Sequence, residues 1–219
     1  MGCAVSSFPV LSPRAAKTRG ALLAAGLELL AERPVDAIAI DDLVAAAGVA
    51  KGSFFNHFAD KRAFAQTIAE DIRREVEARV AATNQGVTDP LERLAGGMIA
   101  AAAFALTERK RMVVLAGAGR GMIDMAHPLN DGVRRDFAAA VAAGLVSTEE
   151  ADTGPLFWLG CCHTVASAVA QEQPDRAESI AILVGMLTLA LRGLGVEAGR
   201  IASITQAERL QARLGRATR

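Results

Sequence analysis

Val49-Ala50-Lys51-Gly52-Ser53-Phe54-Phe55-Asn56-His57-Phe58, with Lys61 just beyond it, is the stretch on which the reading of this chain turns. It follows Leu43-Val44-Ala45-Ala46-Ala47-Gly48. Together the two runs predict a short helix, a tight glycine turn and a second short helix, the helix-turn-helix layout. The second helix has two unlike faces. Val49, Phe54 and Phe58 are apolar and are expected to be buried, whereas Lys51, Ser53, Asn56 and His57 are polar and must point elsewhere. A polar face of short and medium reach suits base edges and phosphates in a major groove.

Outward from that stretch, the composition sets bounds. The chain has 219 residues, enough for one large or two modest domains with a real core. Hydrophobic residues make up 52%, which excludes a disordered chain. Tyrosine is absent, strand-favouring residues are sparse, and apolar residues recur three and four apart in Ala- and Leu-rich runs. These features predict an all-α protein. The formal net charge is zero, which counts against a bulk, non-specific nucleic-acid binder. A small basic face remains open: residues 1–62 hold seven Lys/Arg against six Asp/Glu, so any affinity must come from placement.

Cys3, Cys161 and Cys162 are an odd set with two adjacent members. That argues against a disulfide framework and for a reducing, cytoplasmic setting. Met1-Gly2-Cys3-Ala4-Val5-Ser6 fits a loose acylation pattern. The plainer reading is a leader that matches a permissive pattern, and a lipid-anchored protein is the rival. The most apolar run, Ile180 to Leu191, is too short to span a bilayer, and no membrane partner is expected.

Along the chain, residues 1–13 read as a flexible leader and 14–62 as a helix-turn-helix domain. A first helix is expected over 14–32, stopped by Pro34, a second over 41–47 and a third over 51–57. A charged helix to about residue 82 reads as a solvated connector. Residues 63–196 read as a ligand-binding and dimerisation domain. Its helices are expected near 90–107, 110–118, 128–144, 150–171 and 175–194. Residues 197–219, with Arg200, Arg209, Arg213, Arg216 and Arg219, read as a basic C-terminal tail or loose amphipathic helix.

The head resembles the tetracycline-repressor (TetR) family of bacterial regulators. The residues that carry the likeness are Ala24, Ala25 and Leu29, then Leu43-Val44 and Ala47-Gly48-Val49, then Lys51 to Phe58 and Lys61, in order and spacing over about 18–68. The resemblance implies a three-helix head on a helical-bundle body. It places Lys51, Gly52 and Asn56 at base edges: lysine to guanine acceptors, asparagine to adenine, and glycine for close backbone approach. It places Ser53, Phe55, His57 and Lys61 at phosphates, with Thr18 or Lys17 adding a contact from the first helix.

Four positions depart from the family pattern. Phe55 stands where tyrosine is usual, Ala50 and Ala39 stand where hydroxyl caps are usual, and Asp41 sets a carboxylate near the phosphates. Each lost contact costs about 1 kcal/mol. The expectation is modest affinity with steep dependence on the remaining phosphate contacts, and the alternative is a sensor whose operator binding is weakened or lost.

The body reads as a sensor, because pockets between helices are mostly apolar with a few polar groups. Candidate lining residues are Met98, Phe104, Met112, Met122 and Met125. Phe157, Trp158, Cys161 and His163 complete the set. Each of these residue types also belongs in an ordinary helical core. Cys161-Cys162-His163 invites a redox or nucleophilic role, but adjacent helical residues point about 100° apart and cannot converge. No enzyme activity, cofactor or metal is expected. The 175–194 helix is apolar on more than one side and predicts a homodimer through helices near 150–171 and 175–194. The resulting expectation is a ligand-responsive regulator that binds double-stranded DNA, a repressor released from a palindromic operator by a small apolar effector.

Overall fold

A computed structural model of the chain describes residues 12–118, 127–147, 149 and 151–218. The described residues form eleven α-helices. They are α1 Pro13–Glu32, α2 Ile40–Ala46, α3 Lys51–Phe55, α4 Lys61–Thr83, α5 Pro90–Thr107, α6 Arg109–Gly117, α7 Asp131–Ala142, α8 Gly154–Glu172, α9 Arg176–Gly193, α10 Ala198–Ile204 and α11 Ala207–Ala217. The all-helical expectation holds. Two compact units result, divided between Ile68 and Ala69.

In the first unit each helix has a local start and stop. The Ser12 hydroxyl accepts the Ala15 N–H at 3.3 Å and caps α1, with Pro13 in its first turn. Arg33 is extended because Pro34 follows it, and α1 ends there. Gly48 adopts φ +65, so the Val49 N–H reaches the Val44 carbonyl at 3.0 Å and closes α2 in a tight left-handed cap. Asp60 accepts the Ala63 N–H at 2.8 Å and starts α4. The core is Leu22, Ile38, Leu43, Val44 and Ile68 around a cluster of three rings. Phe54 and Phe58 lie 5.6 Å apart by centroid, Phe54 and Phe64 5.5 Å, and Phe58 and Phe64 4.8 Å. Edge and tilted geometries of this kind add to simple area burial. Phe54 and Phe58 are buried as expected, while Val49, which belongs to the turn, is only half-buried.

The second unit is built around α5. Leu91, Leu94, Met98, Ile99 and the run Ala100–Ala105 are all buried, as a helix apolar on every side must be. Helices α6, α7, α8, α9 and α11 pack against it. Alanines let those helices approach closely. Asp89 caps α5 by accepting the Glu92 N–H at 3.0 Å, and a reciprocal Asp175–Glu178 capping box starts α9.

Two expectations change here. The 69–83 part of α4 is not a solvated connector. Ile72, Val76 and even Arg73 are buried, with Arg73 donating to the Asn130 side chain at 2.6 Å. Residues 198–217 form two helices, of which α11 is the amphipathic helix expected there, packed on the body and not loose. Leu210 and Leu214 of α11 are buried, and that helix packs on α5 and α9. The physical reason is a stripe at i and i+4 whose cations find partners on the body.

Candidate functional site

The polar face of α3 is displayed much as the residue pattern predicts. Lys51, Gly52, Phe55 and Asn56 are exposed, while Ser53, His57, Lys61 and Thr18 are half-buried. Phe55 is 53% exposed, its ring meeting Phe54 edge-on at 5.4 Å. It therefore belongs to the exposed face and not to the core. Neither Ala50 nor Ala39 supplies a side-chain cap to its helix.

Charges on this face are already engaged with one another. The Lys51 ammonium lies 2.8 Å from the Asp41 carboxylate, tying α3 to α2 across the turn. Arg33 pairs with the neighbouring Asp42 at 3.0 Å. Lys61 donates to the carbonyls of Asp36 at 2.9 Å and Ile38 at 3.2 Å, so two of its three N–H groups hold the preceding turn. The Arg19 guanidinium sits 5.5 Å from the centre of the Phe58 ring. Residue patterning missed the Lys51–Asp41 partnership, because residues ten apart in sequence are paired only by the turn.

Gly52 carries a different kind of information. A Cβ built at this position meets nothing within 4 Å, and its φ is ordinary for a helix. Glycine in a helix is less favourable than alanine by about 1 kcal/mol. Nothing among the described residues requires that cost.

In the body, Met98, Phe104, Met112 and Trp158 are fully buried among packed helices. Arg79 and Arg111 lie over the Phe104 ring, at 4.7 and 5.9 Å from its centre. Phe157 lies on an exposed surface of α8. Met122 and Met125 lie outside the described residues, as do Gly2 and Cys3. Cys161 and His163 are half-buried. Burial pushes the Cys161 thiol up. It pushes the Cys162 thiol up further, with the neighbouring Cys161 and Glu77 charges acting in the same direction. Both thiols are therefore held in the protonated, weakly nucleophilic form. The Glu77 carboxyl is raised to about 7 by burial, against the opposing charge of Arg73. Among the described residues no group of His, Cys, Asp or Glu is arranged to hold a metal ion, and no helix is long and apolar enough to cross a membrane.

A groove of about 900 Å³ does open in this unit, away from the residues expected to line a pocket. Its walls come from α4 (Arg79, Ala82, Thr83), from Glu92 and Thr107 of α5, and from α11 (Arg209, Ala212, Arg213, Arg216). Arg213 donates to the Glu92 carboxylate at 2.7 Å and to its carbonyl at 3.1 Å, and Arg209 meets the other carboxylate oxygen at 2.8 Å. Arg79 donates to the Thr107 hydroxyl at 2.9 Å. Gly96 makes this anchor possible. A Cβ there would lie 1.9 Å from the Asn84 side-chain oxygen and 2.8 Å from Arg213 Nη2. The sequence signal was present in Arg209, Arg213 and Arg216 at i, i+4 and i+7, beside Leu210 and Leu214.

Comparison with known proteins agrees with this geometry. Residues 22–68 match the family model of bacterial regulatory proteins, tetR family. The HTH-type transcriptional repressor DhaR of Mycobacterium sp. (strain GP1) is 32% identical over 69 residues, 32% of this chain and 35% of that protein. The match thus spans about a third of the length of that relative. Two solved structures share the fold over most of the chain. CprB from S. coelicolor A3(2), a TetR family protein, is 23% identical with a TM-score of 0.60, covering 91% of this chain and 98% of that one. RolR in complex with resorcinol is 21% identical with a TM-score of 0.58, covering 88% and 95%. At those identities the likeness is one of fold. Residues 22–68, which hold most of α1, all of α2 and α3 and the start of α4, are thus the part of the chain that is similar to the bacterial regulatory proteins of the tetR family.

Proposed function

We propose that this protein is a ligand-responsive transcriptional regulator, acting as a repressor that binds a palindromic DNA operator and is released by a small effector. The observation that carries the reading is the exposed Lys51–Asn56 face on a tetR-family head. Lys51 and Asn56 read base edges, and Gly52 lets the DNA backbone approach. Ser53, Phe55, His57, Lys61 and Thr18 set register on phosphates. The function named for DhaR, a repressor, supports the direction of control. The body binds the effector, and two copies pair through α8 and α9, where Leu156, Phe157 and Leu189 are exposed. A two-fold dimer sets two heads on half-sites about 34–36 Å apart or a multiple of that spacing. The effector favours a conformer with the wrong spacing, so release is a population shift. The protein works by binding and not by turnover, in the cytoplasm.

Selection of operators from random duplex DNA tests this reading. The full chain should enrich a two-fold symmetric site, with affinity falling steeply as salt rises. No enriched palindrome at low salt would sink it. The Lys51–Asp41 pair favours one second reading, a sensor of the same fold whose operator binding is weakened. That reading predicts enrichment only when Asp41 is neutralised.

A further inference from the structure

We infer that the groove between α4, α5 and α11 is a binding site for an organic carboxylate with an apolar body. The inference deepens the reading of the second unit as the sensing part of the protein, and it stands apart from DNA binding.

Charge is the first argument. Arg79, Arg209, Arg213 and Arg216 line the groove against only Glu92 and Glu108, in a chain whose formal net charge is zero. The single Glu92 carboxylate is shared between Arg209 and Arg213. Glu108 lies 3.8 Å from Arg79, which also faces Glu75 at 3.8 Å. Arg216 makes no side-chain hydrogen bond or ion pair among the described residues. With Glu75 counted, four arginines face three carboxylates, so the cations exceed the internal anions, and a bound carboxylate is the complement.

Rigidity is the second argument. Arg213 is 7% exposed and is fixed by two hydrogen bonds to Glu92. Leu210 and Leu214 bury the opposite side of α11, so Arg209 and Arg216 project from a fixed helix. Burial lowers the Arg213 pKa, Glu92 opposes that, and the charges of Arg209 and Arg216 lower it again. The three guanidiniums therefore repel one another where they stand, and an anion between them relieves that repulsion. Arginine forks match carboxylates in two-point geometry, which a lysine ammonium does not.

The walls decide the rest of the ligand. Ala82, Val87, Ala212 and Ala217 give apolar surface, and Thr83, Gln85 and Thr107 give neutral polar groups. A groove of about 900 Å³ holds a molecule well beyond the size of a lone anion, within the ~300–1,000 Å³ typical of small-molecule sites.

Calorimetric titration of the full chain without DNA, at fixed ionic strength, tests the site. The probes are benzoate, phthalate, salicylate and octanoate, with benzamide, phthalamide and inorganic phosphate as counterparts. At least one carboxylate should bind once per chain, about tenfold or more tighter than its amide and tighter than phosphate. Arg216→Gln should weaken that binding about tenfold, as should Arg209→Gln. Arg216 has no partner to lose among the described residues, so its variant should keep the parent's melting temperature and show that the fold is intact. Any of three results overturns the proposal: no carboxylate preferred over its amide, phosphate bound as tightly as the carboxylates, or unchanged affinity in both variants. Failure here leaves operator selection untouched, and a missing operator leaves this titration untouched.

Discussion

Asp41 is the residue against which the proposed DNA contact of Lys51 has to compete. Its carboxylate holds Lys51 at 2.8 Å, so a phosphate or guanine must displace an existing partner before Lys51 can engage it. Exposed pairs of this kind contribute about 0.2–1 kcal/mol. Asp41→Asn should therefore raise operator affinity about two- to fivefold from that release, with a steeper fall of log K against log salt in fluorescence anisotropy. Unchanged affinity would mean the pair plays no part in binding. Gly52 gives a second prediction at this scale. No neighbour obstructs a Cβ, so Gly52→Ala should raise the thermal midpoint or leave it unchanged. The same variant should weaken operator binding tenfold or more if DNA backbone must approach there. Equal operator binding by both proteins would remove the close-approach role.

At the scale of elements, α4 and α11 depart most from what their residues suggest in isolation. The α4 segment 69–83 looks solvated because it is charged, yet several of its charges find partners on other helices or within α4 itself. Arg111 reaches Glu75 at 2.5 Å, and Arg74 reaches Asp71 at 2.5 Å on the exposed side. Glu77 is the costly member. Unfolded, its carboxyl titrates near 4.5; folded, burial raises it to about 7. The folded state therefore holds more protons between those values, and stability should fall as pH rises across that interval. The loss is of order 3 kcal/mol or less. Glu77→Gln should flatten urea-unfolding stability from pH 4.5 to 7, and an unchanged slope would assign the titration elsewhere.

For α11, the anchor depends on the absence of a side chain at Gly96. Gly96→Ala places a carbon 1.9 Å from the Asn84 oxygen inside a packed helix. It should cost about 1–3 kcal/mol in denaturant unfolding and loosen α11. Wild-type stability in this variant would show that α5 and α11 can separate at little cost.

At the scale of the whole molecule, α8 and α9 carry three of the exposed large apolar side chains among the described residues, the other being Phe55 of α3. Leu189 is 66% exposed, and Leu156 and Phe157 are each 45% exposed. Leu189→Glu places a charge on the proposed two-fold interface. Sedimentation should show loss of the dimer with the helical circular dichroism retained; a dimer that persists would move the interface elsewhere. Operator binding should fall with it, because a single head engages only one half-site.

Much of this protein was legible in the amino-acid sequence, for reasons that are local. The Gly48 turn and the stop at Pro34 depend on neighbours a few residues away. So the helices from α1 to α9 lie close to their expected bounds. The exposed face Lys51–Asn56 was legible for the same reason, since Phe54 and Phe58 fix its phase. The tertiary structure alone decided what distant residues do together. It paired Lys51 with Asp41, buried Arg73 and half-buried Glu77, and turned an arginine-rich tail into a wall of the groove opposite Glu92. Charges act through space over a few ångströms, and separations of 10 or 121 residues along the chain, as between Lys51 and Asp41 or Arg213 and Glu92, carry no trace of that proximity. The sequence by itself therefore determined the helices and the exposed polar face of α3, while packing decided which charges pair with one another.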